Sequence, residues 1–135
     1  MAASFLFECA TPNRLLVSDP VDEVVAPGSE GYFGVWAGHA PLLTTLGIGE
    51  LRYRRGGEEQ VLAVSGGFAE VGPERVIILA ETAERPKEID VARAREAWAR
   101  AETRLSGRTK EDVDFTRAQA AFSRALTRLE VAARR

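Results

Sequence analysis

One cysteine, Cys9, and one histidine, His39, in 135 residues exclude an internal disulfide, a thiolate zinc cluster and any centre built on several imidazoles. No apolar run approaches the roughly 20 residues that a membrane-spanning helix needs. Charge of one sign is lacking as well: the formal net charge is −2, which gives no global electrostatic reason to expect nucleic acid. The stretch Met1–Ala10 has no basic n-region and carries Glu8 inside its apolar run, so no secretory signal is expected. There is no glycine-rich GxxxxGK[ST] loop and no convergent nucleophile, acid and base, so catalysis by this chain alone is not expected. What is present is a 45% hydrophobic fraction, enough to support a packed core and to exclude wholesale disorder.

Glycine and proline are scarce in only one part of the chain. All six prolines and eleven of the twelve glycines fall within residues 1–86. Charge divides at the same place: residues 1–86 hold 6 Lys/Arg against 12 Asp/Glu, and residues 87–135 hold 12 against 8. The halves are therefore net −6 and net +4. This pattern predicts two units, 1–86 and 87–135, with the boundary at Pro86, which keeps Arg85 out of a helical conformation.

In the first unit Ser4–Ala10 places Phe5, Phe7 and Cys9 on one face of a half-buried strand. Leu15–Ser18 and Val21–Ala26 are expected to flank an Asp19-Pro20 turn. Glu50–Arg55 and Glu59–Ser65 flank Gly56-Gly57, a hairpin signal. Gly66-Gly67 opens a further strand at Phe68–Val71, and Arg75–Ala80 ends the series. Eight to ten short strands point to an antiparallel β-sandwich or flattened barrel.

The second unit changes period. Asp90 is placed to cap a helix whose apolar seam is Val91, Ala94, Trp98, Ala101 and Leu105, stopped by Ser106-Gly107. Thr109, with Asp112 in capping-box spacing, is placed to cap a second helix carrying Phe115, Ala118, Phe122, Ala125, Leu129 and Ala132. One seam per helix and a short connection predict an antiparallel hairpin, giving an α+β chain of sandwich followed by two helices. Half of the seam is alanine, and its large members are Trp98, Leu105, Phe115, Phe122, Leu126 and Leu129. Such a seam predicts a hairpin held lightly enough to exchange neighbours.

Several separated motifs resemble one family in register. They are Ala26-Pro27-Gly28-Ser29-Glu30-Gly31, Gly34-Val35, Gly38-His39-Ala40-Pro41-Leu42-Leu43, Val64-Ser65-Gly66-Gly67-Phe68-Ala69-Glu70-Val71, Ala80-Glu81-Thr82-Ala83-Glu84, Ile89-Asp90-Val91-Ala92-Arg93-Ala94 and Arg124-Ala125-Leu126-Thr127-Arg128-Leu129. Together they resemble the epsilon subunit of the F-type, proton-translocating ATP synthase. The resemblance implies a non-catalytic central-stalk subunit, peripheral to the cytoplasmic face of an energy-transducing membrane such as the bacterial plasma membrane. Its implied partners are the gamma subunit and the c-ring, and the catalytic beta and alpha subunits when the helices extend and inhibit ATP hydrolysis. It implies no required cofactor, but a regulatory ATP.

By the same resemblance the ATP-binding residues are Glu84, Ile89, Asp90, Arg93, Ala94, Arg100, Arg124 and Arg128, and the rotor-ring contact is Glu30, Tyr32 and His39. Tyr32 stands where some relatives carry an acidic residue. A plainer reading of Asp90 and Arg93 also holds, a helix cap with an i,i+3 pair. Helical geometry predicts Arg93, Arg124 and Arg128 at the end of the hairpin near Glu84, but turns Arg93 and Arg100 roughly 130° from the seam at about 100° per residue. Two other classes remain open. One is a stand-alone ATP-sensing module. The other is a helical nucleic-acid binder, disfavoured by scattered acids and the lack of interleaved aromatics.

Overall fold

The computed structural model describes residues 3–106 and 113–134. Eight strands come first: β1 (Phe5–Ala10), β2 (Leu15–Val21), β3 (Glu23–Gly28), β4 (Gly31–Val35), β5 (Leu42–Thr45), β6 (Ile48–Arg55), β7 (Glu58–Val71) and β8 (Arg75–Glu84). A 3-10 turn at Pro86–Glu88 leads to helices α1 (Val91–Leu105) and α2 (Val113–Ala132). The strand order is β2-β1-β8-β7-β6-β3-β4, with β5 added to the far half of β7. Every pair is antiparallel except β1 with β8.

Strand β7 makes this one sheet into two layers. Its first half pairs with β6 and its second half with β5. The bend lies at Gly66-Gly67, whose φ values of +66° and +112° suit glycine, and a Cβ at Gly67 would collide with the Leu79 carbonyl. The sequence reads this dipeptide as a strand entry, whereas it is a corner inside one 14-residue strand. Gly56-Gly57 closes the β6–β7 hairpin with positive φ only at Gly56, the pattern of a type II′ turn.

One expected turn is absent. Asp19-Pro20 lies inside β2, with Pro20 opposite Leu6, and the chain bends at Asp22 instead. Strand β2 is at an edge of the sheet, where the missing proline N–H breaks no ladder. The two layers enclose Phe7, Leu51, Leu62, Ile78, Val24 and Val64, all essentially without exposure. Cys9 belongs to this core, and burial pushes its thiol up to about 12.

The helices pair along the expected alanine seam, with Ala94, Ala101, Ala118 and Ala125 buried and the Trp98 and Phe122 rings 5.8 Å apart. Leu126, expected in the seam, is 38% exposed, because Ala125 takes the inward position beside it. The expected caps at Gly107, Thr109 and Asp112 lie outside the described residues. The hairpin is docked. The end of α2 packs on β6 and β7, and a small cluster of Val61, Ala63, Ile89, Ala94, Val131 and Ala132 seals the contact. Arg134 adds ion pairs to Glu50 (3.2 Å) and Glu59 (3.7 Å).

Candidate functional site

Strand β8 continues four residues past the expected Ala80 and carries Glu84 to the foot of the hairpin. There the Arg128 Nε and Nη2 donate to the two Glu84 carboxylate oxygens at 2.7 and 3.1 Å, a bidentate pair with both side chains more than two-thirds buried. The next residue, Arg85, turns its guanidinium back to donate to the Leu16 carbonyl and, at 3.4 Å, to the Tyr53 hydroxyl. Glu88 accepts from the Arg85 backbone N–H at 2.7 Å. Its other contact is Arg14, whose Nη1 and Nη2 donate at 2.5 and 2.8 Å.

The Arg14 hydrogen bond is the main reason the Glu88 carboxyl falls to about 2. A depressed carboxylate contributes its stabilisation fully above the unfolded value of 4.5 and loses it as pH falls toward about 2.

These elements surround a cleft of about 540 Å³. Arg93 of α1, Arg124 and Arg128 of α2, and Arg14 of the β1–β2 turn line it, with Glu81 and Glu84 from β8. Ala97, Ala121 and Ala125 form a floor of small apolar side chains, and Thr11, Asn13 and Thr82 contribute polar groups. Arg128 and Arg14 are each answered by a carboxylate. Among the described residues, Arg93 and Arg124 have no ion-pair partner. The cleft therefore offers two unpaired guanidinium groups and two paired ones above an apolar floor, an arrangement that accepts a polyanion attached to a flat apolar group.

Four of the sequence-derived ATP residues thus come together: Glu84, Arg93, Arg124 and Arg128. Arg93 lines the cleft from an exposed position on α1, off the buried helix seam as its helical spacing predicts. Arg100 follows the expectation, being exposed and away from the cleft. Ile89 and Ala94 are buried in the docking cluster instead. Asp90 caps α1, accepting from the Arg93 backbone N–H at 3.1 Å.

Arg14, Asn13, Glu81 and Thr82 join the cleft beyond the residues that the sequence marks for ATP. They arrive because β1 runs parallel to β8, with Ala10 beside Leu79, so the turn after β1 falls beside the end of β8. Among the described residues no group of three or more His, Cys, Asp and Glu is placed to hold a metal ion.

The proposed ring-contact residues do not gather. Glu30 is at the exposed β3–β4 turn, where Ser29 N–H donates to the Thr45 carbonyl at 2.9 Å. Tyr32, 59% exposed, accepts from the Glu50 backbone N–H at 3.0 Å. His39 lies toward the other end of β5, next to Gly38, whose N–H donates to the Pro73 carbonyl. The His39 Nδ1 is 2.6 Å from the Ala40 carbonyl.

A second surface feature was not anticipated. Leu15, Ala10, Leu79 and Phe68 are cross-strand neighbours on β2, β1, β8 and β7. Leu43 lies on adjoining β5. Leu43 is 73% exposed and Leu15, Phe68 and Leu79 more than half. This makes an open apolar stripe across the outer face of one layer.

Residues 4–86 match the family model for the ATP synthase delta/epsilon chain beta-sandwich domain, and residues 87–133 that for its long alpha-helix domain. The ATP synthase epsilon chain of Koribacter versatilis is 56% identical over 105 residues, covering 78% of this chain and 74% of the relative. ATP synthase epsilon chain 2 of Syntrophotalea carbinolica is 48% identical over 134 residues, 99% of this chain and 97% of the relative. A chain in the Euglena gracilis mitochondrial ATP synthase OSCP/F1/c-ring structure aligns with TM-score 0.77 at 25% identity, covering 100% of this chain and 84% of that one. A chain of the Tetrahymena thermophila central stalk and c-ring shares the fold, with TM-score 0.56 at 13% identity over 98% and 96% of the two chains.

Proposed function

Because this chain belongs to the ATP synthase delta/epsilon chain family, we propose that it is the epsilon subunit of a rotary ATP synthase, a non-catalytic member of the central stalk at the cytoplasmic face of an energy-transducing membrane. The sandwich couples the catalytic head to the rotor by holding the gamma subunit and the c-ring. The hairpin regulates: docked, it leaves the head free, and extended toward the catalytic subunits, it hinders ATP hydrolysis.

The observation that carries this reading is the unequal way the two units are held. The sandwich has a closed core and, on its outer face, an apolar stripe through Leu15, Phe68, Leu79 and Leu43 suited to a permanent partner. The hairpin rests on the sandwich through one small apolar cluster and a few ion pairs, so a modest difference in partner affinity suffices to move it.

ATP is the regulatory ligand of this reading. It occupies the cleft of Arg93, Arg124 and Arg128, and because that cleft has walls on both units, its occupation favours the docked state.

The decisive experiment is purification of the assembled complex and location of residues 91–133 with and without ATP. Recovery with gamma and the ring, and a hairpin that docks in ATP and extends without it, is the expected result. Failure to co-purify with gamma, combined with ATP binding by the free chain, would instead favour a stand-alone sensing module. A hairpin in one position under every nucleotide condition would remove the regulatory part.

A further inference from the structure

Arg14 is the one guanidinium in the cleft that comes from the sandwich side, and it belongs to none of the motifs that point to ATP. Its turn is rigid. Thr11 N–H donates to the Arg14 carbonyl at 2.8 Å and Arg14 N–H returns to the Thr11 carbonyl at 3.3 Å. Asn13 N–H donates to the Thr11 hydroxyl oxygen at 3.3 Å. Beyond this turn the side chain crosses to β8, with Nη2 3.5 Å from the Ala83 carbonyl. The neighbouring residue, Glu84, grips Arg128. Two guanidinium groups, from opposite walls, are thereby fixed beside consecutive residues of one strand.

Each meets a carboxylate, Arg14 that of Glu88 and Arg128 that of Glu84. Neither pairing exhausts the five N–H donors of an arginine. Arg14 also keeps half of its side chain in solvent, so an incoming anion reaches it without displacing Glu88.

We propose that Arg14 is a fourth polyphosphate-binding residue of the cleft, the sandwich's own contact to the nucleotide, opposite Arg93, Arg124 and Arg128 of the hairpin. The ligand then bridges the two units directly, with a guanidinium from each side on its phosphate chain. This inference rests on the nucleotide reading of the cleft and adds a residue to it.

Calorimetry of the full chain with ATP provides the test. Arg14→Gln is expected to weaken ATP binding about tenfold, the loss of one charge-assisted contact. Arg14→Lys, which keeps charge but not the fork, is expected to restore part of that loss. Glu88→Gln separates a binding role from a structural one. It breaks the same tie to the linker but releases the Arg14 guanidinium, so ATP affinity is expected to hold or rise. Equal weakening by Arg14→Gln and Glu88→Gln would make the pair a mere strut and overturn the proposal. Unchanged affinity in Arg14→Gln, with binding abolished by Arg93→Ala, would overturn it while leaving the nucleotide reading intact. No ATP binding by the unaltered chain would overturn both.

Discussion

The sandwich and the hairpin bury different things, and the difference bears on how firmly each is held. The largest fully buried side chains, Phe7, Leu51, Leu62 and Ile78, all lie in the sandwich, and among the described residues the hairpin's only member of that class is Val131. Apart from Val131, the buried helical positions among the described residues are alanines, and the large rings of Trp98 and Phe122 are only partly covered. Alanine permits close helix approach but removes little apolar area from water. The hairpin accordingly relies on added polar ties to the sandwich, Glu84–Arg128 and Arg134 with Glu50 and Glu59. Ties of this kind are exchangeable, because each partner is also satisfied by water or by another chain.

The contrast can be broken most severely from the sandwich side. Phe7→Ala empties a fully buried site against the Tyr53 ring, whose centroid is 5.1 Å away. We expect a loss of about 3–5 kcal/mol, read from urea unfolding of the sandwich. Next is Val131→Asp, which puts a charge into the docking cluster. It is expected to cost the docked state about 2 kcal/mol or more. Hydrogen exchange should then show α1 and α2 losing protection while the strands keep theirs; equal loss in both would mean the two units are one cooperative body.

Glu84→Gln weakens a half-buried ion pair, for an expected cost near 1 kcal/mol to docking that shrinks in high salt. Trp98→Phe is expected to lie within about 0.5 kcal/mol of the unaltered chain, since the buried indole N–H it removes has no hydrogen-bond partner among the described residues. A large loss there would show that the seam is tighter than its alanines suggest. Finally, the Glu88 carboxyl should titrate near 2 in the folded chain, so acidification from neutrality to pH 5 should leave its tie to Arg14 in place. A nuclear magnetic resonance midpoint close to 4.5, the ordinary value, would mean that the tie is not formed.

Much of the fold was legible because its signals are local. The two-residue hairpin at Gly56-Gly57, the cap at Asp90 and the seam from Val91 to Leu105 each depend on neighbours within a turn or two. The errors came where a distant partner decides. Pro20 reads as a turn until its strand is known to be an edge, and Gly66-Gly67 reads as a strand start until β7 is seen to change partners. The site divides in the same way. Arg93, Arg124 and Arg128 follow from helical spacing in an antiparallel hairpin, whereas Arg14 meets Glu88 across 74 positions of sequence.

The sequence alone determined where strands give way to helices and that alanines make up most of the buried helix seam. Those properties come from backbone propensity, residue volume and periodicity, which act over a few residues. Only the tertiary structure decided that the hairpin lies against β6 and β7, that Ile89 and Ala94 serve the docking contact, and that a guanidinium from the first β-turn faces three from the helices. Such pairings are fixed by parallel strand register and by the burial of a few apolar side chains between units, and no local pattern encodes which distant residue will stand opposite.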